Sequence, residues 1–375
     1  MISRSPADTM APGRMTSTSS SSLTRARAQR APSVEPLFRA KAPLRVSFAG
    51  GGTDVAPFPE REGGLVLSAT INRYAHATLQ PRTDGRIRVE SLDLGTALEY
   101  GTEERIAHDG KLGLVTAAIR RVAQLEEPRG IDLFLHTAAP PGSGLGASSA
   151  LIVSLIGVLA DYHKLTLSDY ELAHLAWEVE RLDLGLRGGL QDQYAATFGG
   201  FNFIEFGADS VIVNPLRIKP TIVNELESNL LLCFTGATRA GDHIIDDQTK
   251  RYEASEEGAL MGLRMQKELA TSMKEALLRG RLSEFGELMG TAWEYKKRMS
   301  PRITTPTIDE AYAEAIREGA IGGKVVGAGG GGYMLFYCRP GHQHRVAERL
   351  RVMGLESAEF AFDHEGLRTW TYVES

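Results

Sequence analysis

The segment PPGSGLGASSA, Pro140–Ala150, constrains the chain more than any other stretch. Before it, Ile131–His136 reads as a strand. After it, Ser148–His163 places Ile152, Leu155, Ile156 and Leu159 at i, i+3, i+4 and i+7, one buried face of a helix. Gly142, Gly144 and Gly146 therefore sit between a strand and a helix start. Glycines let backbone N–H groups approach a ligand closely, and a helix N-terminus adds unpaired donors and a partial positive charge. Together they form a phosphate cradle. Ser148 and Ser149, in the first turn, can bond phosphate or ligate Mg2+. An ordinary tight turn with a serine cap needs neither three alternate glycines nor paired serines. Two better-known phosphate loops are excluded. No lysine follows Gly146, as Walker A requires, and Gly-x-Gly-x-Gly is not the dinucleotide spacing Gly-x-Gly-x-x-Gly. Gly327–Gly332 fits that spacing formally, but a strand, Tyr333–Cys338, follows where a helix is needed.

Two further segments carry candidate chemistry. In KAPLRVSFAGGGTD, Lys41–Asp54, Leu44, Val46 and Phe48 alternate with Arg45 and Ser47. If the apolar set faces the core, Arg45 points the other way. Asp54 follows three glycines on a loop at the strand end, where sites are commonly built. Glu180 lies near the end of a helix that begins at Ser168, with Glu171 completing a capping box. Asp192 lies in GGLQDQY, Gly188–Tyr194, in a stretch read as leaving the helical pattern and returning to strand by Phe206. Each carboxylate alone is more often a solvated surface acid. Phosphoryl transfer, however, needs metal-holding carboxylates and a group that takes or positions the hydroxyl proton. A phosphate cradle in the same chain gives both acids a candidate role.

The rest of the chain supplies the frame. Its 375 residues, 42% hydrophobic and 24% charged, suit one large globular domain or two. Strands and helices mix without strict alternation, which reads as an α+β protein in two lobes, 38–214 and 215–375. Residues 1–37 are rich in Ser, Thr, Arg and Pro, show no apolar periodicity, and read as a disordered leader. The net charge of −5 lacks the basic excess of a nucleic-acid binder. The longest apolar run, Ala150–Ala160, is too short to span a bilayer. Cys233 and Cys338 lie in apolar stretches and read as reduced core residues of a cytoplasmic protein.

The three glycine segments jointly resemble the motifs of the GHMP kinases, the family of galactokinase, homoserine kinase and mevalonate kinase. The resemblance covers roughly Phe38–Ser375 and rests on the mid-chain loop, the Lys41–Asp54 segment and KVVGAGGGG, Lys324–Gly332. SATINRY (Ser68–Tyr74), GATR (Gly236–Arg239) and WEYKK (Trp293–Lys297) are similar to the branch that phosphorylates heptose 7-phosphate. The resemblance implies an ATP-binding lobe like ribosomal protein S5 domain 2, a ferredoxin-like second lobe, and a site between them. It implies that Pro141, Gly142, Ser143, Gly144, Leu145, Gly146, Ala147, Ser148 and Ser149 wrap the ATP phosphates. Ser148 and Glu180 match Mg2+ ligands, Asp192 a catalytic base, and Arg45 a residue that polarises the substrate hydroxyl. Gly51, Gly52, Thr53, Asp54, Gly329 and Gly330 match substrate contacts. Ala147 departs from the commoner serine. ATP, Mg2+ and a small sugar phosphate are thus the implied ligands, with no nucleic acid and no membrane; the oligomeric state is left open. A substrate phosphate would need its own donors, and Arg239, Arg187, Lys296, Lys297 and Arg298 are candidates, Arg239 first. A kinase for an unphosphorylated sugar such as fucose, and a non-catalytic sugar sensor, are the alternatives; intact Ser148, Glu180 and Asp192 argue against the sensor.

Overall fold

Two antiparallel-rich sheets organise the protein, seen here in a computed structural model that describes residues 36–102, 112–124, 129–238 and 241–374. The expected leader, up to residue 35, and Arg239 lie outside the described residues. The strands are β1 (Leu37–Ala49), β2 (Gly64–Pro81), β3 (Arg86–Ser91), β4 (Thr96–Gly101), β5 (Ile131–Thr137), β6 (Phe201–Phe206), β7 (Val211–Pro215), β8 (Leu230–Phe234), β9 (Ala320–Val325), β10 (Tyr333–Cys338), β11 (Glu356–Ala358) and β12 (Arg368–Tyr372). The first sheet runs β12-β1-β2-β5-β3-β4, with β6 and β7 attached to β2. The long strand β2 serves two partners in turn: Gly64–Ala69 pairs with β6 and Ala75–Pro81 with β5. The second sheet runs β11-β8-β10-β9. Strand β12, from the far end of the chain, returns to pair with β1, and Glu35–Ser375 packs as one unit.

The helix Ala147–His163 sits at the centre. The sequence predicts one buried face, and Ile152, Leu155, Ile156 and Leu159 are indeed sealed. Val153 and Val158 are sealed too, because the helix lies on β1 and β2 on one side and meets the helices Gly113–Val122, Asp169–Glu178 and Gln191–Phe198 on the others. Only a helix that is apolar nearly all round fits such a slot. It carries the phosphate-cradle loop at its N-terminus, so burial of its body fixes where that loop points.

One sequence expectation is corrected with consequences for the site. The stretch from Gly188 does not pass straight to strand: Gln191–Phe198 is a helix, closed by Gly199 at φ 67°. The two glycines before it mask the helical period of so short an element. Asp192 therefore stands on the first turn of a helix. The helix Pro306–Glu318 is capped by Thr305, whose hydroxyl oxygen accepts from the Ile308 N–H.

Candidate active site

The mid-chain loop shows why its glycines alternate. Gly142, Gly144 and Gly146 have φ of 76°, 84° and 73°, conformations that L side chains rarely adopt. Gly144 is also crowded: a Cβ there would lie 2.3 Å from the Val326 carbonyl oxygen. The late glycine run packs directly on this loop, and the Tyr333 N–H donates to the Ser143 carbonyl at 3.0 Å. From the other side β1 holds it, through the Arg45 N–H to the Leu145 carbonyl (3.0 Å) and Arg45 Nη1 to the Gly144 carbonyl (2.6 Å).

Arg45 is buried, and its Nε and Nη2 also reach Asp192 Oδ1, at 2.7 and 2.5 Å. The charge pair thus links β1, the loop and the helix Gln191–Phe198. Glu180 lies on a π turn, Val179–Asp183, that ends the helix begun after Ser168; such turns often mark functional positions. Its carboxylate is 1% exposed. It accepts from Ser148 Oγ and Ser149 Oγ, both at 2.7 Å, and from the Gln193 side-chain amide. Asp54, far from being solvated, is also buried. It accepts from the Gly52 N–H (3.0 Å), the Gln191 N–H (3.1 Å) and Gln191 Nε2 (3.0 Å). Burial raises its pKa, the Asp192 charge adds to that, and the backbone donors oppose it. Gly189 must be glycine here, since a Cβ would lie 1.9 Å from Asp54 Oδ2.

These groups meet in one cavity of about 320 Å3, lined among others by Arg45, Asp54, Ser148, Glu180, Asp192 and Lys296. A second cavity, about 310 Å3, shares Pro141, Ala147, Ser148 and Leu186 with it. Its wall is mostly apolar, from Leu112, Leu114, Val115, Leu135 and Leu151, with Asp93 and Thr137 as polar points. A polar chamber and a greasy one, joined at a phosphate-type loop, suit a ligand with a charged chain and a flat apolar end.

Most residues singled out from the sequence converge. Gly51, Gly52, Gly142, Ser143 and Gly146 line the polar cavity with the groups just named. Leu145 points into the core, and Thr53 holds its turn by donating to the Gly50 carbonyl. Gly329 and Gly330 are packed on Ile303, whose carbonyl accepts from Gly330 at 2.7 Å; Gly327 and Ala328 line the cavity instead. Of the basic run at 296–298, Lys297 pairs with Glu294 and Arg298 covers the Tyr295 ring, while Lys296 enters the cavity. Arg187 lines the same cavity and lies 3.9 Å from Asp246. The sequence reading missed Gln191, Gln193 and Lys324. The glutamines flank Asp192 on both sides, a pattern visible only once that segment is recognised as a helix start. Lys324 is buried and donates to the Ser47 and Phe48 carbonyls, and burial holds its pKa well below the usual value.

Residues 113–200 match the model of the GHMP kinases N terminal domain, and residues 273–354 that of the GHMP kinases C terminal domain. A D-glycero-alpha-D-manno-heptose 7-phosphate kinase from Campylobacter jejuni is 40% identical over 335 residues, which cover 88% of this chain and 98% of that one. The chain is a GHMP kinase. A crystal structure of a D-glycero-D-manno-heptose 1-phosphate kinase from Bacteroides thetaiotaomicron superposes on this kinase with a TM-score of 0.76 at 36% identity, covering 90% of this chain and all of that one. The L-fucokinase/L-fucose-1-P guanylyltransferase of Bacteroides fragilis is 30% identical over 345 residues, 85% of this kinase but only 36% of that longer chain. A galactokinase from Lactococcus lactis shares the fold, with a TM-score of 0.71 at 19% identity. No described helix of this kinase is long and apolar enough to cross a membrane.

Proposed function

We propose that this kinase transfers the γ-phosphoryl group of ATP to the anomeric hydroxyl of D-glycero-D-manno-heptose 7-phosphate, giving the 1,7-bisphosphate used for nucleotide-activated heptose. The observation that carries the chemistry is the Asp192 carboxylate, held by two Arg45 nitrogens inside the cavity that also contains Ser148 and Glu180. Asp192 takes the proton of the sugar hydroxyl as its oxygen bonds to the γ-phosphorus and the bond to the β,γ-bridging oxygen breaks. ADP leaves, and the proton stays on Asp192 until solvent removes it. Arg45 holds the Asp192 carboxylate in place, and the loop Pro141–Ser149 offers its N–H groups to the phosphates. Asp54, with the backbone of Gly51 and Gly52, holds sugar hydroxyls. The apolar cavity takes the adenine.

Ser148 and Glu180 fit Mg2+, which usually binds one or two carboxylates together with phosphate oxygens and water. A buried carboxylate already meeting a hydroxyl at 2.7 Å supplies such a donor pair. Bound there, the ion neutralises charge on the β- and γ-phosphates. Two free buried cysteines and the ATP requirement support a cytoplasmic setting.

The substrate comes from the relatives, whose names differ on where its phosphate sits. The 7-phosphate is preferred because the Campylobacter relative is similar over almost its whole length; the fucokinase similarity supports a free sugar as second choice. The test measures ADP release with heptose 7-phosphate, heptose 1-phosphate, free heptose and L-fucose. The proposal expects the highest kcat/KM with heptose 7-phosphate. A free sugar that matches it would make this a plain sugar kinase, and no release with any of them would remove the sugar assignment.

A further inference from the structure

The chain lacks a Walker lysine, yet a lysine reaches the same chamber from the other half of the sequence. Lys296 lies on the helix Leu282–Met299, on the buried side with Met289, Trp293 and Met299. It is 3% exposed at a position where the helix otherwise buries apolar groups. Its Nζ donates to the Gly327 carbonyl. Among the described residues it has no other hydrogen bond and no ion-pair partner. An ammonium carries three donors, so two remain unused on the cavity wall.

Its location narrows what those donors meet. Gly327 packs on Gly144 of the phosphate loop, and Nζ lies 3.9 Å from where a Cβ on Gly51 would stand. Lys296 therefore sits where the first and last glycine segments meet, beside the loop. The charged groups around it are Arg45 from β1, Asp54 from the loop after β1, Asp192 from the helix Gln191–Phe198, and Lys324 from β9. Neither carboxylate bonds Lys296 directly; its partner is the Gly327 carbonyl. A buried ammonium with no anion in contact is unfavourable by itself, and an incoming phosphoryl group would relieve it.

We propose that Lys296 is a catalytic residue, bonding the oxygens of the phosphoryl group in transit from ATP to the sugar. The inference rests on the kinase reading above. Lys296 stays protonated throughout: the hydroxyl proton goes to Asp192, the new O–P bond forms, and the electrons of the broken P–O bond leave with ADP. The ammonium bonds the phosphoryl oxygens most strongly as charge spreads over them.

The test compares the full-length wild type with Lys296→Met and Lys296→Arg. Titration calorimetry with β,γ-imido-ATP and with ADP needs no sugar. Lys296→Met should weaken the imido analogue about tenfold or more, as loss of a charge-assisted hydrogen bond does, and leave ADP within about twofold, because ADP has no γ-phosphoryl group. Turnover should fall ~10²–10³-fold with KM for the sugar phosphate nearly unchanged. Burial, reinforced by Arg45 and opposed by Asp54 and Asp192, brings the Lys296 pKa down to about 8. Wild-type kcat/KM for ATP should accordingly decline above that pH, and the Arg variant should lose this alkaline limb. Equal effects on ATP analogue and ADP, an unmoved alkaline limb, or a rise confined to the sugar-phosphate KM would each overturn the proposal. The last would make Lys296 an anchor for the substrate's own phosphate. If Lys296→Met does not fold by circular dichroism, Lys296→Gln is put through the same comparison. A wild type inactive on every heptose phosphate contradicts the substrate assignment, while the nucleotide titrations still decide Lys296.

Discussion

Replacing Asp192 by Asn separates chemistry from binding in this site. The amide keeps the shape of the carboxylate, and its oxygen can still accept from Arg45, which retains the Gly144 carbonyl as a second partner. What disappears is a group able to take the hydroxyl proton. Loss of a general base slows turnover by ~10²–10⁴-fold, roughly 3–5 kcal/mol in barrier height. The stability effect is separate. The Arg45 side chain is 4% exposed and that of Asp192 21%, and leaving the guanidinium on a neutral amide oxygen, without its counter-charge, costs about 1–3 kcal/mol. ATP affinity should stay within about threefold, since the loop is held by Arg45, Val326 and Tyr333 contacts that do not include the Asp192 carboxylate. Rapid-quench single turnover with radiolabelled ATP reads the chemical step, and calorimetry reads ATP binding. Retention of more than about a tenth of wild-type kcat would refute the base assignment. A parallel collapse of ATP affinity would instead show that Asp192 acts by holding the loop.

Three further outcomes follow from particular contacts. Ser148→Ala and Glu180→Gln should each raise the Mg2+ concentration for half-maximal rate several-fold, and an unchanged Mg2+ titration in both would take them out of the metal site. Gly144→Ala must accommodate a Cβ 2.3 Å from the Val326 oxygen at φ 84°; a loss of about 2 kcal/mol or more in stability, with weakened ATP binding, is expected in urea melts and calorimetry, against a neutral result if the loop is plastic. Lys296→Met should raise the apo melting temperature at pH 7. The fall of the Lys296 pKa from its usual 10.5 to about 8 means the buried charge costs about 3 kcal/mol below pH 8. Between pH 8 and 10.5 the unfolded chain binds more protons, so this contribution to stability rises with pH. The advantage of the Met variant should narrow across that window in thermal scans, and a lower melting temperature at pH 7 would contradict the reasoning.

The fold was legible wherever a period ran long enough. The strands at Leu230–Phe234 and Tyr333–Cys338 and the helix over the loop follow from their apolar spacing. The helix Gln191–Phe198 was hidden because eight residues between glycines carry barely two turns of pattern. Residue type and loop context pointed to Arg45, Asp54, Glu180 and Asp192, but not to their burial. An acid after three glycines looks solvated until the chain folds Gln191 and Gly189 over it. Within the Lys-Lys-Arg run the sequence could not separate the inward lysine from its outward neighbours, since the helix phase was set by Trp293 and Met299 packing into the core. Thr53, Gly329 and Gly330 show the converse: their motif positions face neighbouring backbone, and the cavity wall is made by residues beside them.

The central claim concerns where the second phosphate is placed. Purified protein incubated with Mg·ATP and D-glycero-D-manno-heptose 7-phosphate should convert it to a bisphosphate whose new phosphorus signal couples to the anomeric proton in a proton-coupled 31P spectrum. A new phosphate on any other carbon, or an unchanged heptose 7-phosphate alongside phosphorylated free sugar, would contradict the account.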